Sequence, residues 1–335
     1  MRAIVVDPDV QGRLAIREVE QPSPAPSEAL VRVSAISLNL GEVRTALFRA
    51  EAGWRPGWEL SGVIEQAAAS GSGPAVGTRV FGMINSGAWA QYATVPTTYL
   101  AEIPDGVTFA QAATLPVAGL TALYGVERGS ILLNRKLLVT GGPSMLGHLY
   151  GLEKGDALHD RKVLITGASG GVGQFACQLA RQAGAHVVAL VRRAERVASV
   201  RAIGAHEVVV GEDVAQAGSL APYHLIIDTL GGKSLQAALT LLETSGVCVN
   251  LGAAENPEAT LQDRFASPAN ANGLFVRDIE PKEGATNDLE RLVRLVAEDR
   301  LHPHIGLEAP WTDVVEVTQN LLNRHIAGKA LLHIS

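Results

Sequence analysis

The segment from Lys162 to Gly184, KVLITGASGGVGQFACQLARQAG, constrains the fold more than any other part of the 335-residue chain. An apolar run, a glycine turn and an amphipathic helical pattern follow one another directly. That order brings backbone N–H groups to a helix start, where an anion is favoured. Gly170 stands where the backbone must approach a pyrophosphate. Gly173 stands where the helix must pack closely on its strand, and Ala168 takes the place of the first glycine of the fingerprint. A second strand pattern, HVVALV, follows and runs into Arg192 and Arg193, about 20 residues beyond Gly173. The alternation continues through RVASVRAIGA, EVVVG, YHLIIDTLGG, SLQAALTLLE, GVCVNLG and LFVRDI. Strands alternating with helix-length segments predict a parallel sheet with crossover helices, and hence a nucleotide-binding domain.

The rest of the chain has a different rhythm. AIVV, LAIREV, ALVRVSAIS, SGVIEQA, TRVFGMI and AQYATV are short β-like runs separated by Gly and Pro, so the first hundred or so residues predict a small β-rich domain. Helices are expected near Asp288–Arg300 and Thr312–Arg324, and a last strand at KALLHIS. Composition narrows the possible roles. With 47% hydrophobic residues the chain can fill a large core, while a net charge of -6 and no basic cluster interleaved with aromatics argue against nucleic acid. No apolar run approaches the length of a membrane span and the N-terminus lacks a signal pattern, so a cytoplasmic enzyme is expected. Cys177 and Cys248, the only cysteines, sit in apolar segments and are expected in the core rather than in a disulfide or as nucleophiles.

A second glycine stretch, KLLVTGGPSMLG at Lys136–Gly147, resembles the first at a 26-residue offset. Matches such as Leu123/Leu149, Tyr124/Tyr150, Gly125/Gly151 and Thr140/Thr166 suggest a tandem duplication near 123–174, added as an excursion. Pro143 lacks an N–H there and Ser144 brings a side chain where Gly170 leaves room, so the cofactor is assigned to the second copy.

Taken together, LPVAGLTAL, TGASGGVGQFACQLARQAGA, the IIDTLGG turn and the final GKALLH resemble the zinc-independent medium-chain dehydrogenase/reductases, the quinone oxidoreductase and enoyl reductase branch. The resemblance implies an α/β protein with a GroES-like β-rich catalytic domain and a doubly wound Rossmann domain. Its boundaries would be 1–118 and 283–335 for the catalytic part and 119–282 for the Rossmann part. It also implies a nicotinamide dinucleotide held by Thr121, Ser169, Gly170, Gly171, Val172, Gly173, Asp228, Leu251 and Gly252. Arg192, Arg193 and Arg196, where an NAD site would carry Asp or Glu, suit a 2′-phosphate and favour NADPH.

Zinc-dependent relatives use a cysteine and a Gly-His-Glu segment; this chain offers Asn39 and, in GWELSG, Trp58 at the corresponding places. His302 and His304 could be read as a metal pair but lack partners at ligand spacing, and no metal is expected. By the resemblance, Asn39 is a candidate hydrogen-bond donor to a substrate carbonyl or the nicotinamide, and Arg44 occupies the place of a tyrosine that donates a proton in some relatives. Trp54 and Trp58 could shape an aromatic-accepting pocket or simply pack. The function expected is NADPH-dependent, metal-free hydride transfer to a quinone or an α,β-unsaturated carbonyl. The alternative is a redox-inactive relative, acting as a cyclase-like enzyme or a cofactor-sensing partner. A homodimer is expected through the edge strand LFVRDI.

Overall fold

The computed structural model describes residues 1–134, 157–252, 254, 274–276 and 284–335. The first glycine stretch, Lys136–Gly147, and most of the 26-residue duplication lie outside the described residues, and so does the end of LFVRDI. The chain divides into two compact units, Met1–Leu120 with Pro281–Ser335, and Thr121–Glu280.

In the first unit β1 (Arg2–Val6) and β2 (Leu14–Glu18) form an antiparallel pair. They are followed by β3 (Glu28–Leu38), α1 (Leu40–Phe48), β4 (Glu59–Gln66), β5 (Arg79–Met83), β6 (Tyr92–Pro96), β7 (Leu100–Glu102) and α2 (Phe109–Ala113). The second unit contains α3 (Leu120–Asn134), β8 (Lys162–Ile165), α4 (Gly171–Gln182), β9 (His186–Val191), α5 (Val197–Ala202), β10 (Glu207–Val210), β11 (Tyr223–Asp228), α6 (Gly232–Thr240), β12 (Leu242–Asn250) and β13 (Leu274–Val276). The chain then returns to the first unit with α7 (Thr286–Ala297), β14 (Ile305–Pro310), α8 (Val314–Leu322) and β15 (Lys329–His333).

Strand β3 is the spine of the first unit. On one side it pairs β4, and on the other it pairs β6 along its first half and β15 along its second, all antiparallel. Most of EALVRVSAISL is buried, with Glu28, Arg32 and Ser34 the more exposed positions. Its core gathers Ile4, Val31, Ile36, Leu60, Val80, Trp89, Trp311 and Leu332. Both C-terminal helices end earlier than the apolar pattern suggests. Asp299 and Arg324 adopt left-handed backbone angles, φ 57° and 59°, which a continuing helix does not allow.

In the second unit the sheet runs β10-β9-β8-β11-β12-β13, and every pair is parallel. Numbered within the unit this is 3-2-1-4-5-6, the doubly wound order whose direction reverses between the first and fourth strands, here β8 and β11. Short Val- and Ile-rich runs such as VVALV are buried on both faces, as a covered parallel sheet requires. Cys177 and Cys248 lie in this core, and burial pushes the Cys177 thiol up to about 12, so it stays protonated and inert.

Candidate functional site

Two places concentrate polar groups, one in each unit. In the second unit the carboxyl ends of β8 and β11 meet at the reversal point. Gly167 turns the chain there with φ +61°, and a Cβ at Gly173 would lie 2.7 Å from the Ala168 Cα and closer still to the Gly167 carbonyl. Only glycine lets α4 approach its strand this way. The first intrahelical bond of α4 is Gln174 N–H to Gly170 O at 3.1 Å, so the N–H groups of Gly171, Val172 and Gly173 have no acceptor within the helix. A Cβ on Gly170 would meet only the Gly167 carbonyl, at 3.3 Å, so this position is open on its other sides. Ser169, Gly170, Gly171 and Val172 are all partly exposed. Open backbone above unsatisfied donors fits a pyrophosphate, which supplies the missing acceptors.

The edge beside the turn is laced by Asp228 and by side chains that the sequence did not single out. Thr166 donates from Oγ1 to the Asp228 carboxylate at 2.8 Å and accepts from Thr229 N–H at 3.0 Å, while Thr229 Oγ1 donates back to the Thr166 carbonyl at 2.8 Å. Asn250 Nδ2 donates to Asp228 at 2.6 Å and to the Gly252 carbonyl at 2.9 Å. Asp228 also accepts from the Leu230 and Gly231 N–H groups and is fully buried. Burial raises its carboxyl above the ordinary range against these hydrogen bonds. The Asp228 oxygens are turned inward and organise the Thr229–Gly231 turn at the edge where the cofactor is expected. Leu251 N–H bonds the Asp228 carbonyl at 2.7 Å, and Gly252 sits where a Cβ would come 2.7 Å from the Thr229 carbonyl, so both belong to the same edge. The sequence signal for this lacing was a polar residue closing each apolar strand: Thr166 after KVLI, Asp228 after YHLII and Asn250 after GVCV.

Beyond β9, Arg192 is exposed, Arg193 Nη1 lies 3.5 Å from Glu195, and Arg196 Nη2 lies 3.7 Å from the same carboxylate. These are exposed ion pairs of small value, and an incoming phosphate can replace them. Thr121, the second residue of α3, is partly exposed.

In the first unit, Asn39 caps α1 and Glu42 at the third helical position reaches back to the Asn39 N–H at 2.6 Å. Asn39 Nδ2 donates both its hydrogens, to Glu42 Oε1 at 3.0 Å and to Glu59 Oε1 at 2.7 Å, and its Oδ1 accepts from Lys329 Nζ at 2.7 Å. The surrounding charges fix this amide orientation, since a flip would turn the oxygen toward two carboxylates. Both Nδ2 hydrogens are thus engaged inside the cluster, and Oδ1 faces Lys329 and the start of α1. Lys329 further bonds Glu59 at 2.8 Å and the Leu38 carbonyl at 3.2 Å. Glu42, Glu59 and Lys329 were not singled out from the sequence, although an acid three residues after Asn39 and charged residues inside ELSG and GKALLH were visible.

Arg44 is half-buried, with its pKa lowered by burial and by the neighbouring Arg49. Trp54 packs on the core edge, whereas the Trp58 indole lies over Gly41, where a Cβ would come within 2.7 Å of the ring. His302 pairs with Asp299 at 3.4 Å, and both His302 and His304 are exposed.

Among the described residues no three His, Cys, Asp or Glu side chains come together as a metal site. The acids Glu42 and Glu59 already receive N–H donors, and the Lys329 ammonium pairs with Glu59. The donor set therefore does not fit zinc.

Comparison with known proteins agrees with this architecture. Residues 25–105 match the model of an alcohol dehydrogenase GroES-like domain, and residues 171–298 match that of a zinc-binding dehydrogenase. A quinone oxidoreductase of Pongo abelii is 27% identical over 94% of this chain and 92% of its own length. A mycocerosic acid synthase-like polyketide synthase of Mycobacterium tuberculosis is 29% identical over 75% of this chain, which spans only 11% of that protein. A mycobacterial protein whose structure was solved in complex with NADPH superposes with a TM-score of 0.78 at 24% identity, covering 99% of both chains. GroES-like strands at both chain ends around a 3-2-1-4-5-6 sheet, with these matches across both parts, make the chain a member of the medium-chain dehydrogenase/reductase family.

Proposed function

We propose that the chain is an NADPH-dependent, metal-free oxidoreductase that reduces a quinone or an α,β-unsaturated carbonyl. The observation that carries this reading is the open glycine turn with unsatisfied N–H groups at the reversal point of the sheet, followed on the next strand by arginines instead of an acid. NADPH would supply a hydride from its nicotinamide ring. Gly171, Val172 and Gly173 would bind its pyrophosphate through backbone N–H groups, with Ser169, Gly170, Leu251 and Gly252 lining the same edge and Thr121 nearby by the family resemblance. Arg192, Arg193 and Arg196 would hold the 2′-phosphate, which an acid at the end of β9 would repel. The NADPH complex of the mycobacterial relative supports the same cofactor.

Asn39 and Arg44 are assigned to the substrate side. Asn39 would meet the substrate carbonyl or the nicotinamide by exchanging one of its cluster hydrogen bonds, and Arg44 would supply positive charge as the reduced product forms. A proton taken from water completes either reduction. The proposed assembly is a homodimer through β13, the edge of the parallel sheet, in which case sedimentation at micromolar concentration gives twice the chain mass. No helix among the described residues is long and apolar enough to cross a membrane. The deciding experiment follows NADPH consumption with quinones, 2-alkenals and cyclic enones, with and without EDTA. Turnover that resists the chelator is expected. Tight NADPH binding without oxidation across the whole panel would instead favour a redox-inactive relative.

A further inference from the structure

The polar cluster of the first unit is built by sheet register. Ala330 pairs with Leu38, so Lys329 stands beside Asn39; Ile36 pairs with Leu60, so Glu59 stands beside Ser37. Opposite residues of an antiparallel pair share a face, and Ser37, Asn39, Glu59 and Lys329 therefore occupy one side of three neighbouring strands. Glu42 joins them from α1. Four stretches, from both ends of the chain, are tied together at this point: Glu42 Oε2 accepts from Trp58 N–H at 2.7 Å, and Glu59 Oε2 accepts from Val117 N–H at 2.7 Å.

The cluster holds two carboxylates against one ammonium, and none of the three is in contact with bulk water: Glu42 and Glu59 are 0% exposed and Lys329 is 2% exposed. Glu42 faces Glu59 from β4 and Lys329 from β15. The other charged groups of α1 and its C-cap are Arg44 and Arg49, and α8, which packs on α1, carries the exposed Glu316. The Glu42 oxygens accept from three N–H donors, Asn39 N, Asn39 Nδ2 and Trp58 N. That environment suits the ionised acid. A proton added to Glu42 would find no acceptor among these three, so one contact has to yield. Burial first, and the neighbouring Glu59 second, push the Glu42 carboxyl up to about 8, while hydrogen bonds from Asn39 and the Lys329 charge pull it down.

We propose that Glu42 is a positioning residue with two arrangements: ionised, it clamps the Asn39 amide and the Trp58 backbone together, and protonated, it releases one of them and changes the surface that Asn39 and Trp58 present. Only the activity arm of the test rests on the proposed function. The other arm reads the Trp58 indole, which lies over Gly41 beside Glu42 and serves as a built-in reporter.

Tryptophan emission of the full chain is followed between about pH 6 and 10. Wild type is expected to show a step with a midpoint near 8, which Trp58→Phe loses and Glu42→Gln flattens. Glu59→Gln should move the midpoint down, because the Glu59 charge is one of the causes that raise Glu42. In turnover, kcat should change across the same range while KM for NADPH stays constant, and Glu42→Gln should remove that limb of the profile. A flat wild-type emission overturns the proposal. So does a step that survives in Glu42→Gln but vanishes in Glu59→Gln, which assigns the proton to Glu59. Should Glu42→Gln fail to fold, the downward shift in Glu59→Gln decides alone. A fluorescence step without any acceptor turnover leaves the clamp standing and overturns the proposed reaction instead.

Discussion

Replacing Lys329 by Met removes the ammonium at the centre of the buried cluster while keeping most of the volume of its stem. Three hydrogen bonds disappear, to Leu38 O, Asn39 Oδ1 and Glu59 Oε1, and Glu59 loses its only salt-bridge partner among the described residues. Breaking a buried ion pair by deleting one partner costs about 3–5 kcal/mol, because the remaining charge stays out of water uncompensated. Glu42 shares the site, but with its carboxyl pushed up to about 8 it is mostly protonated at neutral pH, so the uncompensated charge is that of Glu59. A loss of about 3–5 kcal/mol is therefore expected. At about 2–4 °C per kcal/mol for a unit of this size, melting of the first unit should fall by about 6–20 °C in calorimetry at neutral pH. The penalty should shrink on acidification, since the unpaired Glu59 then takes up a proton. Combining Lys329→Met with Glu59→Gln should recover at least half of the loss, as a neutral amide needs no counter-charge. A single variant within about 1 kcal/mol of wild type, or a double variant no better than the single, would refute charge pairing as the source of stability.

Exchange of Arg193 and Arg196 for Ala should weaken NADPH binding by about 1.5–3 kcal/mol per lost charged hydrogen bond and leave NADH binding nearly unchanged; equal losses in titration calorimetry would count against the 2′-phosphate assignment. Gly173→Ala should lower stability, because its Cβ would press on Gly167 and Ala168, whereas Gly170→Ala should fold normally and lose cofactor affinity, a contrast measured by melting and by NADPH fluorescence side by side. Acid should destabilise the second unit through His206 and His224, whose Nδ1 atoms accept from the Val187 and Lys162 N–H groups. Burial is the leading cause that lowers both imidazoles below the ordinary 6.5, so as pH falls under 6.5 the unfolded chain binds protons first and stability declines through the folded-state values. His206→Gln with His224→Gln should flatten that slope in melting curves between about pH 5 and 8.

The sequence carried what depends on neighbouring residues. The ASGGVG turn, the Val- and Ile-rich runs and the arginines after HVVALV are local patterns, because a tight turn, a covered strand and a strand end each demand particular residue types within a few positions. From them came the fold class, the assignment of the glycine turn to α4 and the family resemblance. Asp228 shows where such reading stops: an acid closing YHLII looks the same whether it faces a ligand or its own turn. Only the packing of β8, β11 and β12 turned it inward, onto Thr166, Gly231 and Asn250. Lys329 lies 270 residues from Glu59 and 290 from Asn39, and no local pattern links residues that far apart. Their meeting was decided by antiparallel register, which sets the first and last parts of the chain side by side and leaves two acids, one amide and one ammonium to satisfy each other out of water.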